Sequence, residues 1–233
     1  MTDKNPPGLF ITGTNTGVGK THVGTLIAAE LRTAGLRVGV YKPAASGCSW
    51  EPDGGQQDDD FLLWTAAGRP GELHRVCPQR FRAPLAPHLA ARAEGRTIDP
   101  MVLRTGLEYW RQTSDVVLVE GAGGLMSPLG DEEYVADLAL DLGYPLLVVA
   151  PNILGVINQT LQTLITAATF RTGLPVAGIV LNDLQASGDS SSELNLRELE
   201  TRCVPPVLAR VRWRSEEFDR SVDWIRVAQP ACG

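Results

Sequence analysis

Nine residues near the N-terminus, GTNTGVGKT (Gly13–Thr21), fit the pattern G-x-x-x-x-G-K-[ST]. They follow a short apolar run, LFIT (Leu9–Thr12), and open a helix-like periodicity, which is the strand–turn–helix setting the pattern needs. In that setting the backbone N–H groups of a glycine turn point inward at phosphate oxygens, and the helix N-terminus adds partial positive charge. Gly17, Val18, Gly19, Lys20, Thr21 and His22 are therefore the expected nucleotide-binding stretch. Lys20 would reach the β and γ phosphates, and the Thr21 hydroxyl would ligate Mg²⁺. Two acidic features could complete a metal site. Glu120 ends the apolar run VVLVE, and Asp58–Asp59–Asp60 precede FLLW. Either could supply a carboxylate to Mg²⁺. The triple aspartate also reads as a helix N-terminus, with two of the three capping and one binding metal.

A second cation stands out by rarity. The chain has three lysines, Lys4, Lys20 and Lys42, against eighteen arginines. Lys42 ends a strand-like run in VGVYKPAASG, and like Lys20 it falls in a turn of small residues. A lysine supplies a compact, rotatable point charge where arginine supplies a wide planar fork. The placement reads as a surface-facing cation at a strand end, with little packing to lose on replacement.

The elements that must position these residues alternate along the chain. Strand-length apolar runs occur at Leu9–Thr12, Arg37–Lys42, Asp115–Glu120, Pro145–Ala150, Pro175–Asn182 and Pro206–Val211. Helical periodicity spans Gly19–Ala34, Asp99–Gln112, Tyr134–Leu142, Val156–Arg171 and Ser191–Arg202. The strands are apolar at nearly every position rather than at alternate ones, as expected when helices cover both faces of a parallel sheet. The fold class follows: a doubly wound, mostly parallel α/β sheet of six to eight strands, of P-loop NTPase type, in one domain over residues 1–233. Ligands should gather at the carboxyl ends of the strands, where Lys42, Glu120 and Asn182 fall. The section 68–100, rich in proline and arginine, reads as partly irregular.

Composition narrows the function classes. Hydrophobic residues are 43 % and charged residues 21 %, ordinary for a globular protein. The net charge of −6 argues against a general binder of nucleic acid or anionic membrane. Four scattered cysteines and three histidines show no metal-ligand spacing. The segment MTDKNPPGLFIT lacks a basic stretch followed by a long apolar run, and no apolar run is of membrane-spanning length. A cytoplasmic enzyme with small-molecule substrates is the expectation.

Taken in order, GTNTGVGKT, YKPAASG, PLAPHLAARAEGRTID, VEGAGGLMSPL, GVIN and LND resemble the dethiobiotin synthetases, P-loop enzymes of biotin synthesis, over most of the chain. The resemblance implies ATP- and Mg²⁺-dependent ligation of CO₂ to 7,8-diaminopelargonic acid through a carbamate and a carbamic–phosphoric anhydride, closing a cyclic urea. It implies Lys42 and Lys20 as catalytic cations, and Thr16 and Ser46 as substrate contacts. Asp60, directly before an apolar helix, matches the metal aspartate beside Thr21 and Glu120. Gly121, Ala122, Gly123 and Gly124 match a stretch that approaches nucleotide and substrate. Asn182, Asp183, Arg212 and Trp213 match the base-binding region. Gly155, Val156, Ile157 and Asn158 match a helix start that holds the substrate carboxylate across a homodimer interface. The chain departs from the pattern at Gly17, where many relatives are acidic, at Leu194, near a tyrosine of some relatives, and at Arg212, where a proline commonly precedes Trp213. Two rivals explain less. An amide ligase of the cobyrinate a,c-diamide synthase kind needs a glutaminase partner with a nucleophilic cysteine. A ParA- or MinD-like ATPase switch needs a second lysine early in the loop, where Thr14, Asn15 and Thr16 stand here.

Overall fold

Strands that are apolar on both faces need cover on both, and the chain supplies it by sending a helix between successive strands. A computed structural model describes residues 5–49, 57–186 and 191–229. The chain runs β1 (Gly8–Gly13), α1 (Lys20–Thr33), β2 (Val38–Tyr41), β3 (Ala44–Ala45), α2 (Asp59–Ala66), α3 (Leu73–Val76), β4 (Gln79–Arg80), α4 (Pro87–Ala93), α5 (Pro100–Thr105) and α6 (Leu107–Thr113). It continues through β5 (Val116–Gly124), α7 (Val135–Leu142), β6 (Leu146–Pro151), α8 (Val156–Thr169), β7 (Val176–Asn182), α9 (Ser192–Arg202), β8 (Val207–Val211) and α10 (Trp224–Val227).

Six strands form one sheet in the order β2-β5-β1-β6-β7-β8, and every pairing is parallel. This is the expected doubly wound α/β sheet. Every residue of β1, β2 and β6 is buried, which explains their unbroken apolar runs. From β1 the chain crosses to β2, fills the gap with β5, and then builds outward through β6 on the other side. The carboxyl ends of β1, β2 and β5 therefore converge at a switch point, where α/β sheets bind ligands. The register puts Ile11 beside Glu120 and Gly13 beside Gly124, with a shift between the two pairs. A Cβ on Gly124 would stand 3.0 Å from the Gly13 carbonyl oxygen, a tight contact, so glycine lets the end of β5 lie close against the start of the phosphate loop.

The proline- and arginine-rich section is more ordered than its composition suggests. β4 pairs with β3 in a small parallel ladder, and Phe81, Cys48 and Gly47 extend it through bonds to Ala45, Phe81 and Ala83. This ladder holds the turn after Lys42. The predicted helix Asp99–Gln112 is instead two, α5 and α6, meeting at Gly106. The Tyr41 hydroxyl lies 3.0 Å from the Val102 and Leu103 carbonyls, and a Cβ on Gly106 would meet that hydroxyl at 2.5 Å. Tyr41 thus occupies the Leu103 carbonyl that a continuous helix would pair with Leu107 N, while Val102 still accepts from Gly106 N at 3.2 Å. Among the described residues no helix is long and apolar enough to cross a membrane.

Candidate active site

The phosphate loop takes its shape from two left-handed glycines, Gly17 (φ 74°) and Gly19 (φ 91°), a region closed to most L side chains. Gly19 has a second constraint. A Cβ there would lie 2.1 Å from Nδ2 of Asn182, which donates to the Val18 carbonyl at 3.0 Å. Val18 is buried in the core, and with Asn182 it pins the loop to the end of β7. Lys20 is 7 % exposed, and its Nζ makes a long 3.4 Å contact to the Asn15 carbonyl. Burial lowers its pKa, partly offset by the nearby Glu120 carboxylate.

Lys42 is not surface-facing as its sequence position suggested. It is 4 % exposed, and its Nζ lies 2.5 Å from Glu120 Oε1 and 2.8 Å from Asp59 Oδ2. Burial alone would lower its pKa. The Glu120 and Asp59 carboxylates overcome that and hold it above the ordinary lysine range. Asp59 is lowered in turn: burial opposes, but Lys42 dominates. Thr21 Oγ1 donates to Glu120 Oε1 at 2.9 Å. Glu120 is 1 % exposed, and its Oε2 is buried with no hydrogen-bond partner.

The three aspartates separate because neighbours on a helix point about 100° apart. Asp58, at the N-cap position, caps nothing: its carboxylate accepts from Ser49 N at 3.1 Å and Ser49 Oγ at 2.9 Å, and pairs with Arg80. The expectation that two of the three cap is corrected by these contacts. Asp60 shares the inner face of α2 with Leu63, is 1 % exposed and lies 3.4 Å from Arg80 without a hydrogen bond. Burial pushes its carboxyl up. Asp59 turns to Lys42. Of the run, the structure brings Asp59, not Asp60, to the phosphate loop. The sequence held one clue, the phase of Leu63, but neighbouring apolar Phe61 and Leu62 blurred it.

These groups line one cleft of about 640 Å³. From the sequence-derived set it gathers Thr16, Gly17, Gly19, Lys20, Thr21, Lys42, Ser46, Glu120, Ala122 and Gly123. It adds Ala44 and Ala45, Asp59 from the triple-aspartate run, and two short segments, Pro84–Pro87 and Ser127–Pro128, that lie inside the PLAPHLAARAEGRTID and VEGAGGLMSPL stretches. The residue types of Pro84–Pro87 and Ser127–Pro128 signal no chemistry, and the ladder of β3 and β4 and the turn after β5 carry them there. Val18, His22, Asp60, Gly121, Gly124 and Asn182 lie outside the cleft lining. So does Asp183, which is bound by Arg210 at 2.8 and 3.0 Å and by Asn152 at 2.7 Å. Arg212 and Trp213 are exposed on the turn after β8. Gly155, Val156, Ile157 and Asn158 start α8, also outside the cleft, with Gly155 left-handed at φ 95°. Leu194 is 59 % exposed on α9.

The donors suit a small, hard divalent cation. Thr21, Asp59 and Glu120 offer oxygen ligands at one side of the loop, and the partnerless Glu120 Oε2 is a buried acceptor that a cation would satisfy.

Comparison with known proteins gives the family and the fold. A family model described as an AAA domain matches residues 7–217. Among solved structures, a ParA family ATPase from Chlorobium tepidum superposes with a TM-score of 0.55 at 16 % identity, covering 90 % of this chain and 86 % of that one. The signal recognition particle receptor FtsY from Elizabethkingia anophelis gives 0.54 at 15 % identity, covering 97 % of this chain and 65 % of that one. Both likenesses are of fold. Sequence relatives are nearer. The ATP-dependent dethiobiotin synthetase BioD of Rhodopirellula baltica is 42 % identical, covering 87 % of this chain and 83 % of that protein. Those of Anaeromyxobacter dehalogenans and Bacillus subtilis are 43 % and 37 % identical, with 90 % and 86 % of this chain covered. With identity at this level across most of both chains, and a phosphate loop facing two buried lysines, the chain belongs to the ATP-dependent dethiobiotin synthetase family.

Proposed function

We infer that the chain uses MgATP to join CO₂ to the two amines of 7,8-diaminopelargonic acid and close the cyclic urea of dethiobiotin. The observation that carries this reading is the convergence of Lys20, Lys42 and Glu120, all buried, on one cleft beside the phosphate loop. One amine attacks CO₂, forming a C–N bond and, on losing a proton, a carbamate. A carbamate oxygen attacks the γ-phosphorus and displaces ADP. The second amine attacks the carbonyl carbon, expels phosphate and closes the ring. Negative charge builds on the carbamate and on the transferring phosphoryl group, and preorganised cations there lower the barrier. Lys20 serves the phosphates from the start of α1, and Lys42 serves the carbamate and γ-phosphate from the end of β2. Thr16 and Ser46 orient the diamine, and ring closure is intramolecular once the anhydride exists.

Thr21, Asp59 and Glu120 would hold Mg²⁺, with Asp59 in the role the sequence gave to Asp60. Bound there, the ion neutralises charge on the β and γ phosphates. Gly17–Thr21 cradle those phosphates. A homodimer completes the site: Gly155–Asn158 of a second copy would present the α8 N-terminus to the substrate carboxylate. Leu154 before α8 (80 %), Ile165 on α8 (62 %) and Leu194 on α9 (59 %) are exposed apolar side chains, which a second copy would cover. The test is fixation of ¹⁴C-bicarbonate into acid-stable product, with light scattering on the same sample. Label fixed only when diamine, Mg²⁺ and ATP are all present, by a dimer, supports the reading. Nucleotide hydrolysis without fixed label would overturn the acceptor, and full activity in a monomer would overturn the shared site.

A further inference from the structure

Six residues of the cleft lining come from two segments that the reaction chemistry does not use: Pro84–Pro87, leading into α4, and Ser127–Pro128, in the turn after β5. Three of the six are prolines, which have no N–H to donate, so neighbouring side chains must hold the two rims together.

Each rim is fixed at its own base. Ala90 and Ala91 seat α4 on Phe81, all fully buried, and Arg96 covers the Phe81 ring at 4.5 Å. The Glu94 carboxylate accepts from the backbone N–H groups of Arg82 and Ala83, tying the end of α4 back to the start of its segment. Beyond Gly124, Ser127 N donates to the Gly124 carbonyl at 3.0 Å, and Leu125 and Leu129 are buried. Two contacts then join the rims. His88 Nδ1 lies 3.1 Å from the Pro128 carbonyl oxygen, and Arg92 pairs with Asp131. His88 and Arg92 are four residues apart, on one face of α4. The Arg92–Asp131 side chains are 56 % and 77 % exposed, so that pair contributes little. His88 is partly buried. A carbonyl oxygen can only accept, so Nδ1 carries the proton in this contact.

The geometry points to His88 as a positioning residue. Its Nδ1–H, donated to Pro128, holds the Ser127–Pro128 rim against the Pro84–Pro87 rim and sets the width of the apolar part of the cleft. That part is lined by Pro84, Leu85, Ala86, Pro87 and Pro128 and offers no charge. It takes the aliphatic body of a substrate whose reacting groups lie at Lys20 and Lys42. The choice of substrate rests on the function proposed above; the latch itself does not.

The experiment compares full-length wild type with His88→Ala, His88→Asn and Arg92→Ala. Asn places an amide N–H close to the position of Nδ1–H. Steady-state kinetics should show KM for diaminopelargonic acid rising roughly five- to tenfold in His88→Ala, the size of one hydrogen bond, with kcat and KM for ATP within about twofold. His88→Asn should return the diamine KM to within about twofold, and Arg92→Ala should barely change it. Hydrogen–deuterium exchange should quicken in peptides covering residues 125–134 of His88→Ala and not of His88→Asn. An unchanged diamine KM, or an equal rise for both substrates, overturns the positioning role. If the wild type fixes no CO₂ into the diamine, the functional reading falls, and exchange alone decides the latch: faster exchange in His88→Ala upholds it, and unchanged exchange overturns it.

Discussion

Replacing Lys42 by methionine keeps the length of the side chain and removes its charge. Two consequences follow. The first is structural. Glu120 is 1 % exposed and Lys42 4 %, so the variant leaves a buried carboxylate with only the Thr21 hydroxyl for a partner. Breaking a buried pair by removing one partner costs about 3–5 kcal/mol. Asp59 is the smaller loss, since its side chain is 47 % exposed and water can replace the lysine. The lower end, about 3 kcal/mol, is therefore expected, or roughly 6–12 °C in Tm for a chain of this size. The melting experiment belongs in EDTA, because a divalent cation could take the place of the ammonium. The second consequence is catalytic: turnover should fall by about 10²–10³. Adding Glu120→Gln to Lys42→Met removes the stranded charge and should recover at least half of the lost Tm while leaving turnover low. Lys42→Met melting within 2 °C of wild type in EDTA would refute the buried pair. Near wild-type ligation would remove Lys42 from the mechanism.

Lys42→Arg should also be a poor enzyme, because a buried site shaped around one ammonium does not take a planar fork; recovery of turnover in ¹⁴C fixation would mean that charge alone suffices. Asp59→Asn should raise the Mg²⁺ concentration needed for half-maximal turnover, and Asp60→Asn should leave it unchanged; the reverse ranking in a Mg²⁺ titration would restore Asp60 to the site. The Asp59 pairing contributes stability above the ordinary carboxylate pKa, near 4, and that contribution disappears as pH falls through the lowered native value. The Tm gap between wild type and Asp59→Asn should therefore close in acid, and a constant gap would contradict the ion pair. Burial pushes the Cys77 thiol well up, while Cys203 is raised less and is partly exposed. Alkylation of native protein near pH 8, followed by mass spectrometry, should mark Cys203 well before Cys77.

Much of the molecule follows from patterns local in the chain. Continuous apolar runs dictate a parallel sheet covered on both faces, and its six strands lie where the runs fall. The motif Gly13–Thr21 fixes where the loop must turn, because Gly17 and Gly19 carry left-handed angles that few other residues adopt. The scarcity of lysine marks Lys20 and Lys42, and both line the cleft. What the sequence could not carry is direction. Asp58, Asp59 and Asp60 are identical in type and adjacent, so only the packing of Leu63 sets the helix phase that turns Asp59 to Lys42 and Asp60 to Arg80. Burial is likewise a tertiary property. Lys42 looks like a surface cation at a strand end, but the ladder of β3 and β4 and the first turn of α2 enclose it, and Glu120 arrives from a strand 78 residues further on. The proline-rich section shows the same limit. Pro84–Pro87 have no chemistry of their own, and they become a wall of the cleft because β4 pairs with β3 and His88 reaches Pro128. Residue type and spacing determine which groups are available and where the chain turns; long-range contacts decide which of them face one another.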